Sequence, residues 1–200
     1  MKRWALAAMT AGVICSYLLL AQKVKRIQTG TIKQNVIIEV AKAETQTKTE
    51  AYGIPLQIYI DKIGVGATIL AVGINNDGAT DVPSEKNMVS WYKYGAKPGE
   101  TGSAVIAGHV TWTYGAAVFN RLQELQNGDE IRIAESSGPE LKFKVTGSKI
   151  YDRDAFPIQE IYWQKDKPRL NLITCNGQYD TTTKDYTKRL VIFTELEDGN

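Results

Sequence analysis

This chain of 200 residues has one histidine and two cysteines. That scarcity excludes a structural zinc site, which needs four soft ligands. One cysteine, Cys15, lies within an apolar run and cannot easily meet Cys175, so a single free thiol remains beyond that run. Such a thiol is either buried and inert or reactive. Charge of one sign is also lacking. The net charge of +2 and the absence of a long acidic or basic tail give no footprint for nucleic acid. There is no G-x-x-x-x-G-K-[ST] phosphate loop. No EF-hand loop is found either, although acids scattered through the loops leave an oxygen-ligand calcium site open. Ser90 and Ser103 stand outside any G-x-S-x-G turn. Among Asp81, Glu85, Glu124 and Asp129 no pattern selects the two carboxylates of a glycosidase.

What is present begins with "WALAAMTAGVICSYLLLA", Trp4 to Ala21, 18 residues without a charge. As a helix it would span roughly 27 Å, close to the thickness of a bilayer core. Leu19, two positions before Ala21, would be the first small residue of a small-x-small cleavage site and fits it poorly, so an uncleaved membrane anchor over residues 1–21 is expected. Lys2 and Arg3 precede it and Lys23, Lys25 and Arg26 follow it, so charge alone leaves its orientation open. Residues 22–51, rich in Lys, Gln, Thr and Glu, read as a stalk.

From residue 52 to residue 200 the texture is that of one globular domain. "LQIYIDKI" alternates Leu56, Ile58 and Ile60 on one face, which predicts a strand, and "ATILAVGI" predicts a second. A loop carrying Asn75, Asn76, Asp77 and Gly78 follows. "SAVIAGHV" is a short apolar run, hence a buried strand. "GAAVFNRLQELQNGD" predicts the one good helix, with Val118, Leu122 and Leu125 on one face and Asn127-Gly128 as the stop. "EIRIAES" and "LKFKVTGSKIY" form a hairpin around Ser136-Ser137-Gly138-Pro139, and "LNLIT" and "RLVIFTEL" close the domain. Many short strands predict a mainly β fold, a closed or nearly closed barrel. Residues 150–169 carry no strong period, and a loop of that length in a compact domain is usually functional.

His109 ends one predicted strand, Cys175 ends another, and Arg189 opens the last. Alone, each has a plainer explanation: a structural histidine, a small buried hydrophobe, a solvated surface charge. Together they make a chemistry. A cysteine nucleophile needs a base, usually His, and acyl transfer needs positive charge or donors aimed at the developing oxyanion. Arginine suits the second need because it stays charged at any working pH. In a barrel, neighbouring strand ends can meet on one rim. Papain-like enzymes place Cys before His, the reverse of the order here. An L,D-transpeptidase would carry Arg close behind its cysteine, where Asn176 and Gly177 stand.

Five stretches carry a resemblance: "VPSEKNMVSWY", "KPGETGSAVIAGHV", "AVFNRLQELQNGDEI", "LNLITCNG" and "KRLVIF". In this order the chain resembles a sortase over nearly all of residues 54–196, and "PGETGSAVIAGH" and "WYKYGAKPG" look most like the class F branch. The family signature T-L-x-T-C reads "NLITC" here, with Asn171 in place of the first Thr. The resemblance implies an eight-stranded closed β-barrel with one or two short helices behind an N-terminal transmembrane helix. It implies a cysteine transpeptidase on the outer face of a single-pass membrane attachment in a Gram-positive-type cell. Cys175 would attack the Thr–Gly carbonyl of an LPXTG-like sorting-signal peptide and form a thioester. His109 would serve leaving and incoming amines, Arg189 would hold the carbonyl or oxyanion, and Thr174 would donate into the same hole. The partner would be an amine acceptor such as a peptidoglycan precursor. No cofactor is expected, with calcium dependence left open. Hydrolysis through the same acyl-enzyme, and an inactive membrane-tethered binding module, are the alternatives. Whether Cys175 and His109 rest as an ion pair or as a neutral pair stays open at this point.

Overall fold

The computed structural model describes residues 52–75, 80–113 and 115–197. The expected anchor and stalk, Cys15, and most of the Asn75–Gly78 loop lie outside them. Among the described residues ten strands form: β1 (Pro55–Ile60), β2 (Val65–Val72), β3 (Val89–Tyr92), β4 (Gly102–Ala107), β5 (Thr111–Trp112), β6 (Gly115–Ala116), β7 (Glu130–Glu135), β8 (Leu141–Asp152), β9 (Pro168–Asp180) and β10 (Asp185–Leu196). Eight close a barrel in the order β1-β2-β3-β4-β9-β10-β8-β7, and β5 and β6 pair as a separate hairpin. Closure removes the exposed sheet edges that an open sheet of such apolar strands would leave. Two neighbouring pairs, β2–β3 and β4–β9, are parallel; the other barrel pairs are antiparallel.

Period-two alternation sorts the barrel strands into two apolar layers. Ile58, Ile106, Phe143, Leu172 and Ile192 belong to the interior. On the outer face of β4, β9 and β10, Val105, Ala107, Ile173 and Val191 form a second cluster with Tyr92, Tyr151 and Ile161. That outer layer is why β4 is buried on both faces along its whole length.

Three local expectations change. Leu56 does not share the inward face of Ile58 and Ile60. It is 47% exposed, because the β1–β7 register shifts between Pro55 and Gln57 and a bulge reverses the alternation. The segment "GAAVFNRLQELQNGD" is not an α-helix. It passes from β6 through a turn into a 3-10 turn at Leu122–Glu124. Tertiary bonds hold it in that shape: the Val118 N–H donates to the Lys86 carbonyl and the Phe119 N–H to the His109 carbonyl. Leu122 and Leu125 are buried and Val118 packs against the same core, so the apolar pattern was met without a helix. Finally, the aperiodic stretch holds the one α-helix among the described residues, α1 (Ile158–Tyr162), which buries Ile161 in the outer layer.

Candidate active site

The outer layer forms the floor of a groove of about 760 Å³. His109, Thr174, Cys175 and Arg189 all line it. The connection between β8 and β9 supplies one wall, through Arg153, Phe156, Ile158, Tyr162 and Trp163.

Cys175 and Arg189 are direct cross-strand partners in the β9–β10 ladder. Neither sits at a strand end. β9 continues past Cys175 to Asp180, and β10 begins at Asp185, before Arg189. What ends at Cys175 is burial: Leu170 to Thr174 are buried, Cys175 is half-buried, and Gly177 to Tyr179 are exposed. A strand whose outer face emerges from beneath a covering loop presents its first half-exposed side chain at the groove.

His109 follows β4, and its backbone is tied to the residues just before the thiol. The Gly108 N–H donates to the Ile173 carbonyl at 3.1 Å, and the Thr174 hydroxyl donates to the Gly108 carbonyl at 2.8 Å. Gly108 is required by packing. A Cβ there would stand 2.7 Å from Phe119 Cδ2 and 2.9 Å from Val118 Cγ1. The imidazole Nε2 bonds the Pro83 carbonyl at 3.1 Å, and its ring lies 5.1 Å from the ring of Trp112. A carbonyl only accepts, so Nε2 carries the hydrogen and Nδ1 is left to exchange protons with a ligand.

Arg189 donates to the carbonyls of Tyr186 and Lys188 at 2.9 and 3.0 Å and to Asp185 Oδ2 at 2.6 Å. Three bonds hold the guanidinium and leave further N–H donors for a substrate oxygen. Asp185 was not singled out from the sequence. Its Oδ1 accepts from the Cys175 thiol at 4.0 Å, and its Oδ2 also faces Arg153 at 3.8 Å. A register shift between Tyr186 and Lys188 bends this end of β10. That irregularity leaves no trace in hydrophobic periodicity, and a charge four residues before an arginine is a helical signal, not a strand one.

Burial is the largest influence on the thiol and pushes its pKa up. Arg189 pulls it down and Asp185 pushes it up again. The balance is upward, which favours the neutral thiol over the thiolate. Among the described residues no three His, Cys, Asp or Glu side chains converge on a metal position.

The Sortase domain model matches residues 58–197. No curated protein matches in sequence. Similar solved structures include sortase A from Corynebacterium diphtheriae, at 20% identity and a TM-score of 0.56, covering 74% of this chain and 63% of that one. Sortase C-1 from Actinomyces oris aligns at 21% identity and a TM-score of 0.57, covering 72% and 73%. Sortase C from Clostridium perfringens aligns at 24% and 0.53, covering 74% and 72%. The chain thus spans less than two thirds of the Corynebacterium protein, and the likeness of these three is one of fold. With the domain match extending over most of the chain and reaching every barrel strand, the chain belongs to the sortase family of cysteine transpeptidases.

Proposed function

We propose that this protein cleaves an LPXTG-like sorting signal between Thr and Gly and transfers the new carboxyl end to an amine acceptor of the cell wall. The observation that carries this is the direct pairing of Cys175 with Arg189 on one groove that His109 also lines. An acyl transfer needs a nucleophile, a proton carrier and an oxyanion stabiliser within reach of one carbonyl.

In this mechanism the Cys175 thiol gives its proton to His109 Nδ1 as sulfur attacks the Thr carbonyl. The oxyanion forms beside Arg189, whose positive charge lies where negative charge develops. The Thr174 hydroxyl, expected to donate into the same hole, instead donates its one proton to the Gly108 carbonyl at 2.8 Å and so steadies the backbone beside His109. Collapse expels the Gly amine, which takes a proton from His109 Nδ1, and leaves a thioester on Cys175. The acceptor amine then gives a proton to His109 Nδ1 and attacks the thioester, and the departing sulfur takes that proton back, restoring the thiol. The apolar wall from Phe156 to Trp163 contacts the signal and helps choose it. The "AVIAGH" and "WY" stretches support assignment to the class F branch. Trp4–Ala21 anchors the chain in a single pass with the barrel outside the cell, where the acceptor is found. The reaction uses no cofactor.

Incubating residues 52–200 with an LPXTG-type peptide and a panel of amines, read by mass spectrometry, tests this. The expected product carries the amine on Thr and is lost in Cys175→Ala. A free acid alone would point to hydrolysis. No Cys175-dependent cut across a broad set of signal variants would replace the transpeptidase with a binding module.

A further inference from the structure

Asn171 is fully buried on the outer face of β9, four residues before Cys175, beside the apolar layer that includes Val105, Ala107, Ile173 and Val191. Its side-chain Nδ2 donates to the Ile161 carbonyl at 2.7 Å. That carbonyl belongs to the last turn of α1, where carbonyls have no partner within the helix. At five residues α1 cannot hold its own shape, so it lies where its tethers put it. Other tethers come from its side chains: Glu160 accepts from the Tyr151 hydroxyl at 3.0 Å, and Tyr162 meets Thr80 at 2.8 Å. Asn171 reaches its backbone, from the barrel wall below.

The polar choice costs burial without full pairing. Among the described residues Asn171 Oδ1 has no partner, and neither does Ser103 Oγ, which is 2% exposed on the outer face of β4. Ser103 pairs with Arg169 and Val105 with Asn171, so the two unpaired atoms belong to diagonal positions on adjacent strands. An apolar side chain would fill this layer with no orphaned atom. What only a polar one supplies is direction, since a hydrogen bond fixes one carbonyl where a hydrophobic contact tolerates sliding. The helix so fixed presents Ile158 and Tyr162, with Trp163 just beyond, to the groove.

We propose that Asn171 is a specificity-positioning residue: its amide caps α1 from the barrel wall and thereby sets which peptides the groove accepts. This rests on the transpeptidase reading above. Its role is distinct from that of Cys175, since Asn171 touches α1 and not the reacting atoms.

The test compares the full chain with Asn171→Leu, which keeps the volume and removes the donor, and with Asn171→Thr, which restores a hydroxyl donor. Should the leucine variant not fold, Asn171→Ala makes the same comparison. The leucine variant is expected to raise KM for the sorting peptide about ten-fold. Its kcat and its Cys175 alkylation rate should stay within about two-fold of wild type. Hydrogen exchange over residues 158–163 should quicken, and threonine should recover most of both effects. Unchanged exchange in those residues overturns the proposal, as does quicker exchange with an unmoved KM. A uniform loss of kcat, KM and alkylation overturns it too, as mere unfolding. If wild type cleaves no sorting peptide but exchange still responds, the transpeptidase reading fails, the bond stands as structural only, and the specificity role falls with its substrate.

Discussion

Asp185→Asn is the sharpest probe of the site, because it removes the carboxylate charge that meets the thiol while keeping the side chain's size and shape. Asp185 touches Cys175 Sγ at 4.0 Å and holds Arg189 at 2.6 Å. At 4 Å a unit charge is worth about 1 kcal/mol in bulk water and about 4 kcal/mol at an effective dielectric of 20. The Asp185 side chain is 33% exposed, which places it near the lower figure. Roughly 1–1.4 kcal/mol corresponds to a five- to ten-fold gain in thiolate fraction below the thiol's midpoint. The carboxylate opposes ionisation of Cys175, so its removal moves the midpoint toward acid. Arg189 keeps its place through the Tyr186 and Lys188 carbonyls and continues to favour the thiolate. A less basic thiolate is also a weaker nucleophile, with reactivity following its basicity at a Brønsted slope of about 0.4–0.5, so the net rate gain is roughly two- to four-fold. The assay is the pH–rate profile of Cys175 with an aromatic disulfide, in a Cys15→Ser background so that one thiol reports. An alkaline shift, or an unmoved profile, would refute the electrostatic account of this site.

Three other outcomes follow from the geometry. Arg189→Lys should lower kcat by about 10²-fold or more while leaving Tm nearly unchanged, since an ammonium cannot span three acceptors and still face a carbonyl; steady-state kinetics beside a thermal melt checks it. Gly108→Ala should destabilise by about 1–3 kcal/mol, because its Cβ meets the buried Phe119 ring at 2.7 Å, and should lower kcat by displacing His109. Thermal unfolding with parallel kinetics would contradict this if both matched wild type. Tyr151, pushed up to about 12 mainly by burial and next by its bond to Glu160, should give an ultraviolet titration step near there that Tyr151→Phe removes. Its folded pKa lies above the ordinary value, so the stabilisation is present below about pH 10 and fades as pH climbs toward 12. A single step for all tyrosines near pH 10 would count against the buried hydroxyl.

The β-rich texture, the hairpin around Ser136–Pro139 and the buried run of β4 were legible because alternation and turn chemistry are local. The candidate residues were legible for a different reason: a chain with one histidine and two cysteines offers little choice. Two local signals misled. The apolar spacing of Val118, Leu122 and Leu125 is equally satisfied by a 3-10 turn held in place by Lys86 and His109. The run ending at Cys175 looked like the end of a strand and is the end of a cover.

From its own residues the chain determined an alternating β domain, a rare thiol and a rare imidazole, since pattern and composition need no neighbours. Only the tertiary structure decided that Cys175 faces Arg189 across the β9–β10 ladder, and that Thr174 and Ile173 pin Gly108 beside His109. It alone decided that Asp185 turns back onto both thiol and guanidinium and that Asn171 reaches α1. Register, bulges and the covering loop are set by contacts between residues far apart in sequence, and no local pattern encodes a distance between them.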